Sequence, residues 1–104
     1  MRFRIAGVVH EGSVLVFPDR TLAWDARDFD TITLAALAPV ASAATGILVI
    51  GCGPAFLPAP AGLREGLKAH GLVLEWMDTG AACRTFNVLL AEDRRVAAAL
   101  LPPI

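Results

Sequence analysis

Two short stretches hold the residues best suited to chemistry. The first is "GCGP", Gly51 to Pro54, and the second is "DTGAACRTFN", Asp78 to Asn87. Glycine lets backbone N–H groups come close to a ligand. A helix that starts at Thr79 offers unpaired N–H donors and a partial positive charge. Cys83 and Asn87 are four residues apart and share a helical face, with Gly80 one turn earlier on it. Arg84 lies beside them and could clamp an anion or a carboxylate. If the two stretches meet, they line a ligand crevice. Its expected lining is Gly51, Cys52, Gly53, Asp78, Thr79, Gly80, Cys83, Arg84 and Asn87, with both cysteines looking in.

Each of these residues also has a structural use. The glycines can turn the chain after a buried strand, and Asp78 or Thr79 can cap a helix. Arg84 can pair with an acidic neighbour, and buried cysteines often act as small apolar residues. Gly51-x-Gly53 lacks the third glycine of a dinucleotide fingerprint. A thiol nucleophile needs a base, and neither histidine is expected near Cys83. His70, just before Gly71, reads as a cation at a helix C-terminus, at the far edge of the sheet. His10 reads as part of a hairpin turn. Asp25, Asp28 and Asp30 read as a solvated loop without the dense oxygen pattern of a calcium site. We therefore expect no catalytic residue, no metal and no cofactor.

The elements that position the two stretches follow from the apolar pattern. "ILVI", Ile47 to Ile50, is a continuous apolar run, as in a strand covered on both faces. In "AGLREGLKAHG", Leu63 and Leu67 face one way while Arg64, Glu65 and Lys68 face out. Gly71 suits the left-handed position after the last turn. "LVLEWM", Leu72 to Met77, is the next strand, giving a strand–helix–strand unit with parallel strands. Both of its strands end at the edge where open α/β sheets hold ligands. A last long helix carries Ala82, Phe86 and Leu89 or Leu90 on one face. Val96 to Leu101 fits helix by its alanines, or a returning strand. Ile5 to Val9 and Ser13 to Phe17 read as a hairpin around His10-Glu11-Gly12. Pro18 and Asp19 make a turn into a short strand, Thr21 to Trp24. Thr33 caps a helix from Leu34 that Pro39 kinks or splits.

Bulk composition narrows the classes. The 104 residues suit one domain over 1–104 and can build a core without staples. The chain is 56% apolar and 18% charged, which favours an exposed apolar patch and so a partner or a second copy. Net charge is −1 with no basic block, against nucleic acid. The uncharged run from Thr31 to Leu63 is broken by Pro39, Gly46, Gly51, Gly53, Pro54, Pro58 and Pro60, against a spanning helix. Two cysteines form no secreted framework, and Met1 to Ile5 forms no signal peptide. A cytoplasmic protein is expected.

"EGSVLVFPD", "VIGCGP" and "MDTGAACRTFNVLLAEDRRVAAALL" together resemble the family of NADH:ubiquinone oxidoreductase (complex I) assembly factor 3 and its small prokaryotic relatives. The resemblance covers nearly the whole chain. It implies a single three-layer α/β domain around a mixed sheet, in keeping with the hairpin and the strand–helix–strand unit. It implies an accessory role in complex I assembly, with complex I subunits or another assembly factor as partner. Without a mitochondrial presequence the expected member is prokaryotic, cytoplasmic or peripheral at the inner membrane. Gly51, Gly53, Asp78, Thr79, Arg84 and Asn87 match the family's motif positions, but the resemblance supplies no catalytic residue. Two readings follow: a non-enzymatic accessory protein, and a small-molecule or anion-binding protein with thiol chemistry at the sheet edge.

Overall fold

The computed structural model describes residues 2–5, 8–24, 26, 32–38 and 46–102. Strands β1 (Arg2–Ile5) and β2 (Val8–Glu11) pair antiparallel as a separate two-stranded sheet. The main sheet has five strands: β3 (Val14–Phe17), β4 (Arg20–Ala23), β5 (Ile47–Gly51), β6 (Val73–Met77) and β7 (Val96–Leu100). Their spatial order is β4-β3-β7-β5-β6. β5, β6 and β7 run parallel, while β3 is antiparallel to both β4 and β7. Helix α1 (Leu63–Ala69) links β5 to β6, and α2 (Thr79–Ala91) links β6 to β7.

β6 lies on one side of β5 and β7 on the other. Right-handed crossovers that step in opposite directions along the sheet then put α1 and α2 on opposite faces. The packing agrees. Leu15, Phe17, Leu48, Ile50, Leu74, Ala97 and Ala99 form one cluster with Leu63 and Leu67 of α1. Val14, Val16, Val49, Val96, Ala98 and Leu100 form the other with Ala82 and Phe86 of α2. Strand alternation sends successive side chains to the two clusters. The result is a three-layer α/β arrangement around a mixed sheet.

Val96 to Leu100 resolves to a strand. It is fully buried between β5 and β3, and small alanines let the layers close on it from both faces. Tertiary burial overrides the helix preference of alanine.

The N-terminal pairing differs from the expectation. β3 does not pair with β2, because both of its edges are occupied, by β4 and β7. Pro18-Asp19 forms the tight turn that brings Phe17 opposite Arg20. Arg20 secures it, 3.2 Å from Asp19 and 4.2 Å over the Phe17 ring. His10 lies in β2, opposite Phe3, and not in a turn.

After β4, the Trp24 indole donates to the Ala36 carbonyl at 2.8 Å. That anchors a 3-10 turn, Ala35–Leu37, whose Ala36 N–H is accepted by the Thr33 hydroxyl at 3.1 Å. Pro39 and the remainder of the helix expected from Leu34 lie outside the described residues. So do Asp25, Asp28 and Asp30.

Overfilling β7 tests the two-sided burial. Ala98→Leu, on the α2 side, and Ala99→Leu, on the α1 side, should each lower the urea midpoint by an amount worth about 1–3 kcal/mol. A midpoint equal to that of the parent chain would show that β7 is not packed on both faces.

Candidate functional site

The two chemistry-bearing stretches do meet. β5 ends at Gly51 and β6 at Met77, side by side in parallel register. The Cys52 N–H donates to the Met77 carbonyl at 2.9 Å, continuing the ladder one step. Asp78 is the N-cap of α2, and its carboxylate accepts from the Ala81 N–H at 3.0 Å. Of the two cap candidates, Asp78 takes the position, where its short side chain reaches the first turn.

The junction is closed by Thr79. Its hydroxyl accepts from the Gly53 N–H at 2.9 Å and donates to the Leu101 carbonyl at 2.8 Å. The Thr79 N–H donates to the Gly53 carbonyl at 2.9 Å, and the Leu101 N–H to the Gly51 carbonyl at 3.0 Å. Thr79 is 0% exposed. A Cβ on Gly51 would lie 2.8 Å from both Cα and Oγ1 of Thr79. Gly51 is therefore a close-approach glycine. Gly53, at φ +114°, turns the chain where other residues would be strained.

The cysteines do not share a crevice. Cys52 is buried in the α1-side cluster, its thiol 3.5 Å from the Ala55 carbonyl. Cys83 packs against the α2-side cluster and is half-buried. The sheet separates them. Burial pushes the Cys83 thiol up, and the neighbouring Arg84 guanidinium offsets this only in part. At neutral pH Cys83 is a thiol, not a thiolate.

The remaining residues line the outer side of the first turns of α2. Asp78 and Gly80 are partly exposed, and Arg84 and Asn87 are exposed. Arg84 Nη1 lies 3.7 Å from where a Gly80 Cβ would stand. Among the described residues Arg84 forms no salt bridge. An anion could meet Arg84 there, but the Asp78 carboxylate occupies the helix start. Among the described residues, no group of three His, Cys, Asp or Glu side chains is placed to hold a metal.

Two features were not legible as functional in the sequence. Phe56 and Leu57 are exposed, at 61% and 43%, in the loop after β5. The Trp76 indole holds this loop by donating to the Leu57 carbonyl at 2.6 Å. The flanking Pro54, Pro58 and Pro60 were the available signal, since proline stiffens a loop. The other feature is Arg64, whose guanidinium donates to the Leu74 carbonyl at 2.8 Å.

Comparison with known proteins places this geometry in a family. Residues 1–101 match the model described as protein of unknown function (DUF498/DUF598). The chain belongs to this family. It is 43% identical over 100 residues to an uncharacterised protein of Rhodobacter capsulatus, covering 96% of this chain and 77% of that one. It is 36% identical over 97 residues to NADH dehydrogenase [ubiquinone] 1 alpha subcomplex assembly factor 3 of Drosophila melanogaster. That match covers 89% of this chain and 50% of the assembly factor, so the chain spans about half of that relative's length. A crystal structure from Bordetella parapertussis superposes with TM-score 0.89 at 33% identity, covering 97% of this chain and 87% of that one. The resemblance to complex I assembly factor 3 is thus a family relationship, and the solved fold agrees with the mixed α/β sheet.

Two outcomes test the site. Thr79→Val keeps the shape but strands the Gly53 N–H and the Leu101 carbonyl, at a cost of about 1–3 kcal/mol for each. Thr79→Ser should stay much closer to the parent in denaturant unfolding, and equal stability of Thr79→Val and the parent would refute the clasp. For Cys83, folding favours the protonated thiol. Its contribution to stability is present below the ordinary thiol pKa and fades as pH rises through the raised one. Alkylation of Cys83 should be slow at neutral pH and rise later with pH than for a free thiol. Arg84→Ala should move that rise further up, and a fast neutral reaction would contradict the desolvated placement.

Proposed function

We propose that the chain is a non-enzymatic accessory protein that binds another protein during assembly of a respiratory complex, in the manner of its assembly-factor relatives. The observation that carries this reading is the relationship to complex I assembly factor 3, at 36% identity across 89% of this chain. The arrangement of the carboxyl edge supports it. Gly51, Gly53 and Thr79 are engaged with one another and with Leu101. Apolar side chains stand in solvent at Phe56, Leu57, Val73 and Val88, the kind of surface a partner covers. No helix among the described residues is long and apolar enough to cross a membrane. In this reading the partners are complex I subunits or another assembly factor, met in the cytoplasm or at the inner membrane.

Anion binding at Gly80, Arg84 and Asn87 is the second reading. The Arg84 guanidinium beside the first turn of α2 favours it. Arg84→Ala would then abolish any protection of the folded chain by phosphate.

Mild crosslinking, affinity purification from the native cell and mass spectrometry test the first reading. Peripheral-arm subunits of complex I or an assembly factor should be recovered above an unrelated control. Deletion of the gene should lower assembled complex I. Normal assembly in the deletion strain, with no such subunit recovered, would overturn the assembly role.

A further inference from the structure

β4 is the outermost strand on one side of the main sheet and β6 on the other. The two edges differ. At β6 the Leu72 N–H donates to the Leu67 carbonyl at 3.0 Å, and the Leu74 carbonyl accepts from Arg64 Nη1 at 2.8 Å. Glu75 adds an exposed charge to the same strand. Occupied backbone groups and charged side chains keep an edge strand from pairing further.

β4 carries no such protection. Its register with β3 fixes which backbone groups point outward. The Trp24 N–H donates to the Ser13 carbonyl at 3.0 Å, so Ser13 and Trp24 form a hydrogen-bonded pair. Bonded and non-bonded pairs alternate along an antiparallel ladder. Leu22, opposite Leu15, and Arg20, opposite Phe17, therefore turn their backbone groups to β3. Thr21 and Ala23 turn theirs away, to the edge. Among the described residues, the N–H and carbonyl groups of Thr21 and Ala23 have no partner. Thr21 to Ala23 holds no charge and no proline, and Leu22 is 41% exposed. The Arg20 charge is balanced within its own hairpin, beside Asp19 and over the Phe17 ring.

We infer that β4 pairs antiparallel with the β4 of a second copy of this chain, about a two-fold axis at Leu22. In that register the edge is its own complement. Thr21 of each copy stands opposite Ala23 of the other, and each such pair exchanges both of its N–H···O bonds. Every outward group of Thr21 and Ala23 is then used. Leu22 meets Leu22 of the other copy between them, as the close pair without backbone bonds. Arg20 falls opposite Trp24, so no like charges face each other along the strand. An axis at Thr21 would set Ala23 opposite Asp19, which lies in the turn, and the outer bonds would be lost. The Leu22 axis joins the two main sheets into one and closes the pair as a cyclic dimer. So short an edge makes a small interface, and the pair exchanges with single chains.

Sedimentation of the full chain, from about 10 μM to about 1 mM, tests the pairing over the range expected of a small interface. The parent should pass from single chains toward dimers across the series. Thr21→Pro removes an outward donor that β3 does not use, so the fold should stand while pairing weakens about tenfold or more. Leu22→Lys and Leu22→Glu each set like charges face to face at the axis and should weaken self-pairing about tenfold. Mixed together, the two charged chains should pair more tightly than either does alone. Circular dichroism checks that each variant is folded, and if Thr21→Pro is not, the Leu22 variants decide alone. A parent that stays single at the highest concentration would overturn the inference. So would association that a folded Thr21→Pro leaves unchanged, or charged chains that pair no better mixed than apart.

Discussion

The structure turns on one hydroxyl group. Thr79 Oγ1 takes the Gly53 N–H and gives its own proton to the Leu101 carbonyl. It joins the start of its own helix to two segments, one 26 residues before it and one 22 residues after it in sequence. The loop leaving β5, the start of α2 and the end of β7 are thereby fixed at one point. The joint is buried, so each polar group in it must find a partner within the protein. The absence of a Cβ on Gly51 is what lets the helix start approach closely enough.

That joint sits where an open α/β sheet ordinarily leaves room. The chain leaves β5 toward the α1 face and leaves β6 toward the α2 face. The divergence of two such loops is the usual place for a ligand crevice. Here Thr79 bridges the divergence, and the glycines serve the closure. What stays outward is of two kinds: a polar strip along the first turns of α2, and apolar side chains on a loop held by Trp76 and Cys52.

Much of the fold was legible because its elements obey simple periods. Ile47 to Ile50 had the unbroken apolar run of a strand buried on both faces. Leu63 and Leu67, followed by Gly71, marked α1 and its end, and Gly71 adopts φ +80°. Asp78 was one of two cap candidates, and it is the residue that caps. What was not legible depended on long-range competition. The pairing of β3 with β4 and not β2 required knowing that β7 would claim its second edge. The alanines of β7 carry a local preference that the surrounding layers overrule. Among the crevice residues, the meeting of Gly51–Gly53 with Asp78–Gly80 followed from parallel strands. The opposite placement of Cys52 and Cys83 did not, because a residue leaving a strand can turn to either face. Arg64 read correctly as outward-facing, but the pattern of one helix cannot show which neighbouring carbonyl a long side chain will reach.

Hydrogen–deuterium exchange of individual amides, followed by NMR under native conditions, tests the joint most directly. If the Thr79 clasp is the keystone, the Gly53 amide opens only when the whole domain does. Its exchange free energy should then match that of the central β7 amides and the global unfolding free energy. Exchange of Gly53 at the rate of an exposed loop amide, with β7 still protected, would contradict the account. The carboxyl edge would then be an opening crevice and not a closed joint.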